Sequence, residues 1–164
     1  MPKIENVLFF CAGNTCRSPF AELYAKMLKE TKFKEELKEV SFDSAGIYHY
    51  YEIVQPGTVN YLKSKGIEVK NFHTKLINAS LLEQQDLILG FEQKHHMNKL
   101  RRKFKNVKDI NTKSFLLLEF AGEGQNLEIE DPFYLPEEEY NIILRRIEKG
   151  VIKTIQKIIV INKT

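Results

Sequence analysis

The chain has 164 residues, 43% of them hydrophobic and 29% charged, with a formal charge of +3. These values fit a soluble globular domain spanning residues 1–164, and the slight basic excess suits an anionic substrate but is too weak to argue for nucleic-acid binding. No apolar run approaches the roughly 18 residues that cross a bilayer, and MPKIENVLFF lacks the apolar core and cleavage pattern of an export signal. Neither membrane association nor secretion is expected. The two cysteines, Cys11 and Cys16, share one loop, which excludes a disulfide framework and points to a reducing cytoplasm.

Residues 4–10 (IENVLFF) read as a buried parallel strand running into a glycine loop. Ser18 is placed to cap a helix with Pro19 at its first position, and Phe20, Leu23, Tyr24, Met27 and Leu28 continue it at helical spacing. Val40–Phe42 reads as a second strand ending in the turn-like tetrad DSAG, residues 57–65 as a helix, and Leu87–Phe91 as a third buried strand. A Lys- and His-rich helix then runs to about Lys103, followed by a short strand near Val107–Ile110 and a helix over Thr112–Glu119. Beyond a loop at 121–136, the last helix keeps Tyr140, Leu144, Ile147, Val151, Ile155 and Ile158 on one face. Its leading acids, Glu137–Glu139, suit a helix N-terminus. Strands alternating with helices predict an α/β fold with a parallel sheet covered on both faces, and ligands beyond the carboxyl ends of its strands. His95 and His96 point about 100° apart on a helix among lysines and arginines, which reads as a solvated basic face and not a metal site.

The stretch Val7–Glu22, VLFFCAGNTCRSPFAE, carries the chemistry. Five residues separate Cys11 from Arg17, a spacing at which a loop curls until successive backbone N–H groups face one anion. Ala12, Gly13, Asn14, Thr15, Cys16 and Ser18 then surround a phosphoryl group, and Arg17 supplies a planar fork for two of its oxygens. The following helix N-terminus, the loop N–H groups, Arg17 and the Ser18 hydroxyl all favour Cys11 as the thiolate. Attack on phosphorus gives a phosphocysteine, whose hydrolysis releases inorganic phosphate. One carboxyl group serves as acid for the leaving oxygen and then as base for water; Asp131, stiffened by Pro132 in a long loop, is the candidate. Cys16 has two readings, loop packing or a reversible disulfide that shields Cys11 from overoxidation.

The block Cys11–Pro19 followed by Ala21-Glu22, together with DSAG at Asp43–Gly46, DLILGFE at Asp86–Glu92 and EDPFY at Glu130–Tyr134, resembles the low-molecular-weight protein tyrosine phosphatases across nearly the whole chain. The resemblance implies a flavodoxin-like, doubly wound, four-stranded parallel sheet with helices on both faces. It also implies a metal- and cofactor-independent phosphomonoesterase with Cys11 as nucleophile, Arg17 as phosphate ligand and Asp131 as acid then base. Asn14, Ser18, Ser44 and His73 match positions that brace the family's loop, and Glu92 stands where the family usually has Asp.

Tyr48, Tyr50 and Tyr51 follow the SAG turn, and Phe133 and Tyr134 would form the opposite wall. A deep aromatic slot admits phosphotyrosine and leaves phosphoserine too short, so phosphorylated proteins or peptides are the expected partners. Thr15 resembles instead the family's protein-arginine-phosphatase branch, because a hydroxyl accepts a guanidinium hydrogen bond. The DPFY wall and the tyrosines favour phosphotyrosine. Arsenate reductases share the fold and loop but need further cysteines, and none lies outside the loop. Sugar phosphotransferase IIB components lack the counterpart of Arg17, and a noncatalytic phosphopeptide-binding module needs no paired Cys11 and Asp131.

Overall fold

A computed structural model describes residues 1–164. Asn6–Cys11 (β1) is buried at every position after Asn6, as a run apolar on both sides requires. Val7, Phe9 and Cys11 join one hydrophobic cluster, and Leu8 and Phe10 join another on the opposite face, the period-two alternation of a strand. Ser41–Gly46 (β2), Leu87–Gly90 (β3) and Ser114–Leu116 (β4) complete an all-parallel sheet in the order β2-β1-β3-β4. The chain leaves β1 for β2 on one side and returns past it to β3 on the other. The carboxyl end of β1 is therefore the switch point at which such sheets bind ligands.

Arg17–Glu30 (α1), Pro56–Ser64 (α2) and the long Glu137–Lys163 (α7) cover the first face. Tyr140, Leu144, Ile147, Val151, Ile155 and Ile158 of α7 are all buried, and each apolar side chain so buried contributes about 1.5–3 kcal/mol. Glu137, Glu138 and Glu139 occupy its first turn, where the helix dipole favours them. Ala79–Glu83 (α3), a π-helical turn at Gln93–Met97 running into Asn98–Lys103 (α4), and Ile110–Lys113 (α5) lie over the second face. Leu117–Phe120 (α6) returns the chain to the first face. Asn162, at the end of α7, bonds both the N–H and the carbonyl of Ile4 at 2.8 Å, closing the molecule end to end. No helix is long and apolar enough to cross a membrane.

Several local expectations are corrected. DSAG is not a turn: it is the body of β2, in register with Leu8–Cys11. The strand expected at Val107–Ile110 and the helix at Thr112–Glu119 are replaced by two single helical turns flanking β4. Three strand residues are too few to display a period, and the apolar run around them reads equally as helix. Ser18 does not cap α1; the helix begins at Arg17 without a side-chain cap, and the Ser18 hydroxyl is used elsewhere.

Candidate active site

Between the end of β1 and the start of α1 the chain reverses at the carboxyl edge of the sheet. Asn14 takes the left-handed conformation (φ 57°), which its short polar side chain tolerates. The loop carbonyls are tied outward: Cys11 accepts from the N–H of Ile47 at 3.1 Å, Ala12 from Tyr48 at 2.8 Å, and Thr15 from Gln55 at 2.9 Å. The N–H groups from Gly13 to Ser18 meet no acceptor within the protein. They ring a cradle at a helix N-terminus, the arrangement that binds phosphate.

A buried chain of hydrogen bonds runs behind this loop, and its direction is fixed at one end. The Glu22 carboxylate, 5% exposed, only accepts, so the Ser44 hydroxyl donates to it, at 2.6 Å. Asn14 Oδ1 accepts from Lys75 N, leaving its amide nitrogen to donate to Ser44 Oγ and Ser18 Oγ, each at 2.9 Å. The Ser18 proton is then free to point at Cys11 Sγ, 3.0 Å away. A carboxylate more than one helical turn from the loop thus orients the Ser18 hydroxyl towards sulfur. Lys26 holds the second oxygen of Glu22 at 2.7 Å.

His73 takes no part in this network. Its side chain is exposed, and the bracing expected of it comes from Glu22 and the backbone of Lys75. The signal for Glu22 was present in the sequence, as an acid among the inward-facing residues of α1. Asn14, Ser18 and Ser44 lie together behind the loop, with Asn14 donating to both hydroxyls.

Arg17 is almost fully buried. Its Nη1 donates to Glu92 Oε2 and to the carbonyl of Ile129, both at 2.7 Å, while Nε has no partner in the protein. One corner of the fork is anchored and another edge remains for an anion. Glu92 in turn lies 3.5 Å from His96 Nε2. His95 is exposed as expected, but His96 is wholly buried, so the solvated-face reading fails there. The π-helical turn inserts a residue and swings the imidazole inward. Its Nδ1 accepts from the N–H groups of Phe91 and Glu92 at 3.0 and 3.1 Å, which assigns the ring proton to Nε2, facing Glu92.

Burial pushes the His96 pKa down to about 2, and the charge on Arg17 acts in the same direction. The folded ring stays neutral while the unfolded one protonates below about pH 6.5, so this group's contribution is complete above that pH and is lost as pH falls. From pH 7 to pH 5 the loss is about 2 kcal/mol. His96→Asn keeps an acceptor for the two N–H groups and should remove that part of the decline. Urea midpoints of variant and parent at both pH values measure it; equal slopes would count against the assignment.

A cavity of about 450 Å³ opens above the loop. Cys11, Ala12, Gly13, Thr15, Cys16 and Arg17 form its floor, and Tyr50, Asp131, Phe133 and Tyr134 its walls, with His49 and Tyr51 added. Tyr51 stacks on Phe133 at 5.7 Å and 11°, and Phe133 meets Tyr134 edge-on at 4.7 Å. Tyr134 is 91% exposed and forms only the rim. Asp131 Oδ1 accepts from the N–H of Phe133 at 3.0 Å, an Asx turn that fixes the carboxyl group at the cavity edge. Both cysteines are free thiols. Burial pushes the Cys16 thiol up to about 11 despite a hydrogen bond from Tyr140, so at neutral pH Cys16 stays protonated.

A doubly wound sheet whose first strand delivers a cysteine into an arginine-closed anion cradle defines a cysteine-dependent phosphatase. Residues 6–161 match the profile of the low molecular weight phosphotyrosine protein phosphatases, and the chain belongs to that family. Low molecular weight phosphotyrosine protein phosphatase 1 of Drosophila melanogaster is 31% identical over 133 residues, covering 80% of this chain and 81% of its own. The crystal structure of YfkJ from Bacillus subtilis superposes with a TM-score of 0.83 at 23% identity, covering 95% of both chains. The YwlE arginine phosphatase from Geobacillus stearothermophilus does so with a TM-score of 0.79 at 26% identity, covering 93% of this chain and 92% of that one.

Proposed function

We propose that this phosphatase hydrolyses phosphotyrosine in proteins or peptides through a phosphocysteine on Cys11, without a metal or cofactor. The aromatic-walled cavity with Cys11 on its floor supports the reading: a tyrosyl ring fills such a slot and places its phosphate in the cradle, whereas a seryl phosphate falls short. Cys11 Sγ attacks phosphorus as the bond to the phenolic oxygen breaks, and Asp131 donates its proton to that oxygen. The loop N–H groups and the free edge of Arg17 hold the equatorial oxygens. Asp131, now a carboxylate, takes a proton from water as it attacks the phosphocysteine, releasing inorganic phosphate and the thiolate. Glu92 positions Arg17, while Glu22, Ser44, Asn14 and Ser18 position the loop. Action in a reducing cytoplasm, as one domain over residues 1–164, goes with this reading.

Thr15 favours a second reading, phosphoarginine. It is buried, lines the cavity floor, and carries a hydroxyl able to accept from a guanidinium. Initial rates of phosphate release from matched phosphotyrosyl and phosphoarginyl peptides, in excess chelator and with Cys11→Ser as blank, decide between them. Faster release from the phosphotyrosyl peptide is expected, and Thr15→Ile should leave that rate largely intact while depressing any phosphoarginine activity. The reverse pattern would assign the enzyme to arginine.

A further inference from the structure

The residues after β3 carry a charge imbalance that the phosphoryl site does not use. Residues 93–108 hold seven Lys or Arg and no Asp or Glu, a net +7 in a chain of +3, so the remainder carries −4. None of the seven is ion-paired with a carboxylate of the protein. Arg101 is used internally, on the hydroxyl and carbonyl of Ser114. Lys99 donates to Tyr48 Oη at 3.0 Å and lies 5.1 Å above the same ring. With Ile47, Tyr48 and the exposed Arg102 and Lys103 it lines a groove of about 370 Å³.

That groove adjoins the catalytic cavity. Tyr48 packs on Tyr50 at 5.7 Å, and Tyr50 lines the cavity. Asp131, at the cavity edge, belongs to a second charged stretch: residues 128–139 hold six Asp or Glu and no Lys or Arg, again without an ion pair. Stretches of opposite charge therefore reach the opening, one through Tyr48 and Tyr50 and the other through Asp131.

We propose that the groove formed by Ile47, Tyr48, Lys99, Arg102 and Lys103 is a substrate subsite for an Asp or Glu side chain on one flank of the phosphorylated residue. The inference builds on the proposed phosphopeptide substrate. A peptide is the occupant that fits, because the groove and the phosphoryl cavity are bridged by the contact of Tyr48 with Tyr50. A long polyanion laid across the mouth also meets the acidic stretch that contains Asp131, whose repulsion rejects wrong partners. The same repulsion makes the preference one-sided: acids on the opposite flank face carboxylates.

The test is kcat/KM on phosphotyrosyl peptides identical except for Asp or Asn placed on the N-terminal flank, the C-terminal flank, or both. Two or three exposed ion pairs give an expected gain of about 5- to 20-fold for Asp on one flank, and none on the other. Raising NaCl should shrink the gain. Arg102→Glu/Lys103→Glu leaves the Lys99–Tyr48 contact in place and should abolish or invert the preference. The rate on para-nitrophenyl phosphate, which has no flank, separates loss of the groove from loss of the chemistry. Should phosphoarginyl peptides turn over instead, the same flank series on them carries the test, so a wrong phosphoamino acid and a wrong subsite give different results. Equal rates for Asp and Asn peptides, or a preference that survives the double variant, would overturn the proposal. So would a double variant that loses affinity for an oligonucleotide or for phosphatidylserine vesicles with its peptide preference unchanged.

Discussion

Asp131→Asn should lower kcat on a phosphotyrosyl peptide by about 100- to 10,000-fold while changing KM by less than about threefold. The size follows from what the carboxyl group is asked to do. A tyrosyl leaving group departs as a phenoxide unless it is protonated, and the amide of Asn has no proton to give. In the proposed mechanism the phosphate is held by the loop N–H groups and Arg17, which the substitution does not touch. The local fold is preserved as well, since the Asn side-chain oxygen can still accept from the N–H of Phe133. The deficit should narrow with esters of strongly acidic phenols, whose oxyanions leave unaided. A plot of log kcat against leaving-group pKa, steep for the variant and shallow for the parent, is the expected signature. Parallel lines would remove Asp131 from the first chemical step.

Gly46→Ala should cost about 100-fold in kcat/KM although residue 46 carries no functional group. A Cβ there would lie 2.9 Å from the backbone nitrogen of Asn14, 2.9 Å from the carbonyl carbon of Gly13 and 3.0 Å from the carbonyl oxygen of Tyr48. All three are backbone atoms, so no flexible side chain can swing away. Either the phosphate loop shifts or the end of β2 does, and a displacement near 1 Å is worth about 100-fold in rate. The overpacking should also lower stability by about 1–3 kcal/mol. Activity on an aryl phosphate, read beside urea midpoints, separates the two effects. A folded variant with parental activity would show that the loop tolerates the intrusion.

That glycine also shows where reading the chain succeeds and fails. The buried strands at Leu8–Phe10 and Leu87–Leu89 and the stripe from Tyr140 to Ile158 were legible, because burial on two faces or one imposes a pattern that composition cannot hide. DSAG was misread because its small, polar residues are those of a turn. They are small for another reason: Ser44 must reach Glu22 and Asn14, and Gly46 must let the phosphate loop approach. The cysteine and arginine were legible through their spacing alone, which is fixed by the size of a phosphate. The supports behind them were harder to see. Glu22 lies four residues along a helix from Ser18 and connects to it only through Ser44 of β2 and Asn14 of the loop, and His96 turns inward only because a π-helical turn breaks the period on which its outward reading rested. His73 failed for the complementary reason, since a match in position says nothing about which way a loop side chain points.

The clasp between Asn162 and Ile4 gathers both ends of the chain at one pole of the molecule. It joins the last turn of α7 to a residue two positions before the strand that ends at Cys11, across a sequence separation of 158. Loop-closure entropy grows only logarithmically with length, so a link of this span is little harder to form than one of a third the span. Strand β1 begins beside the clasp and ends at Cys11, so the two poles of the molecule lie about 20 Å apart along that strand. Whatever is attached at the clasped pole, whether a label, a surface or a carrier, presents the open slot outward and leaves its approaches clear.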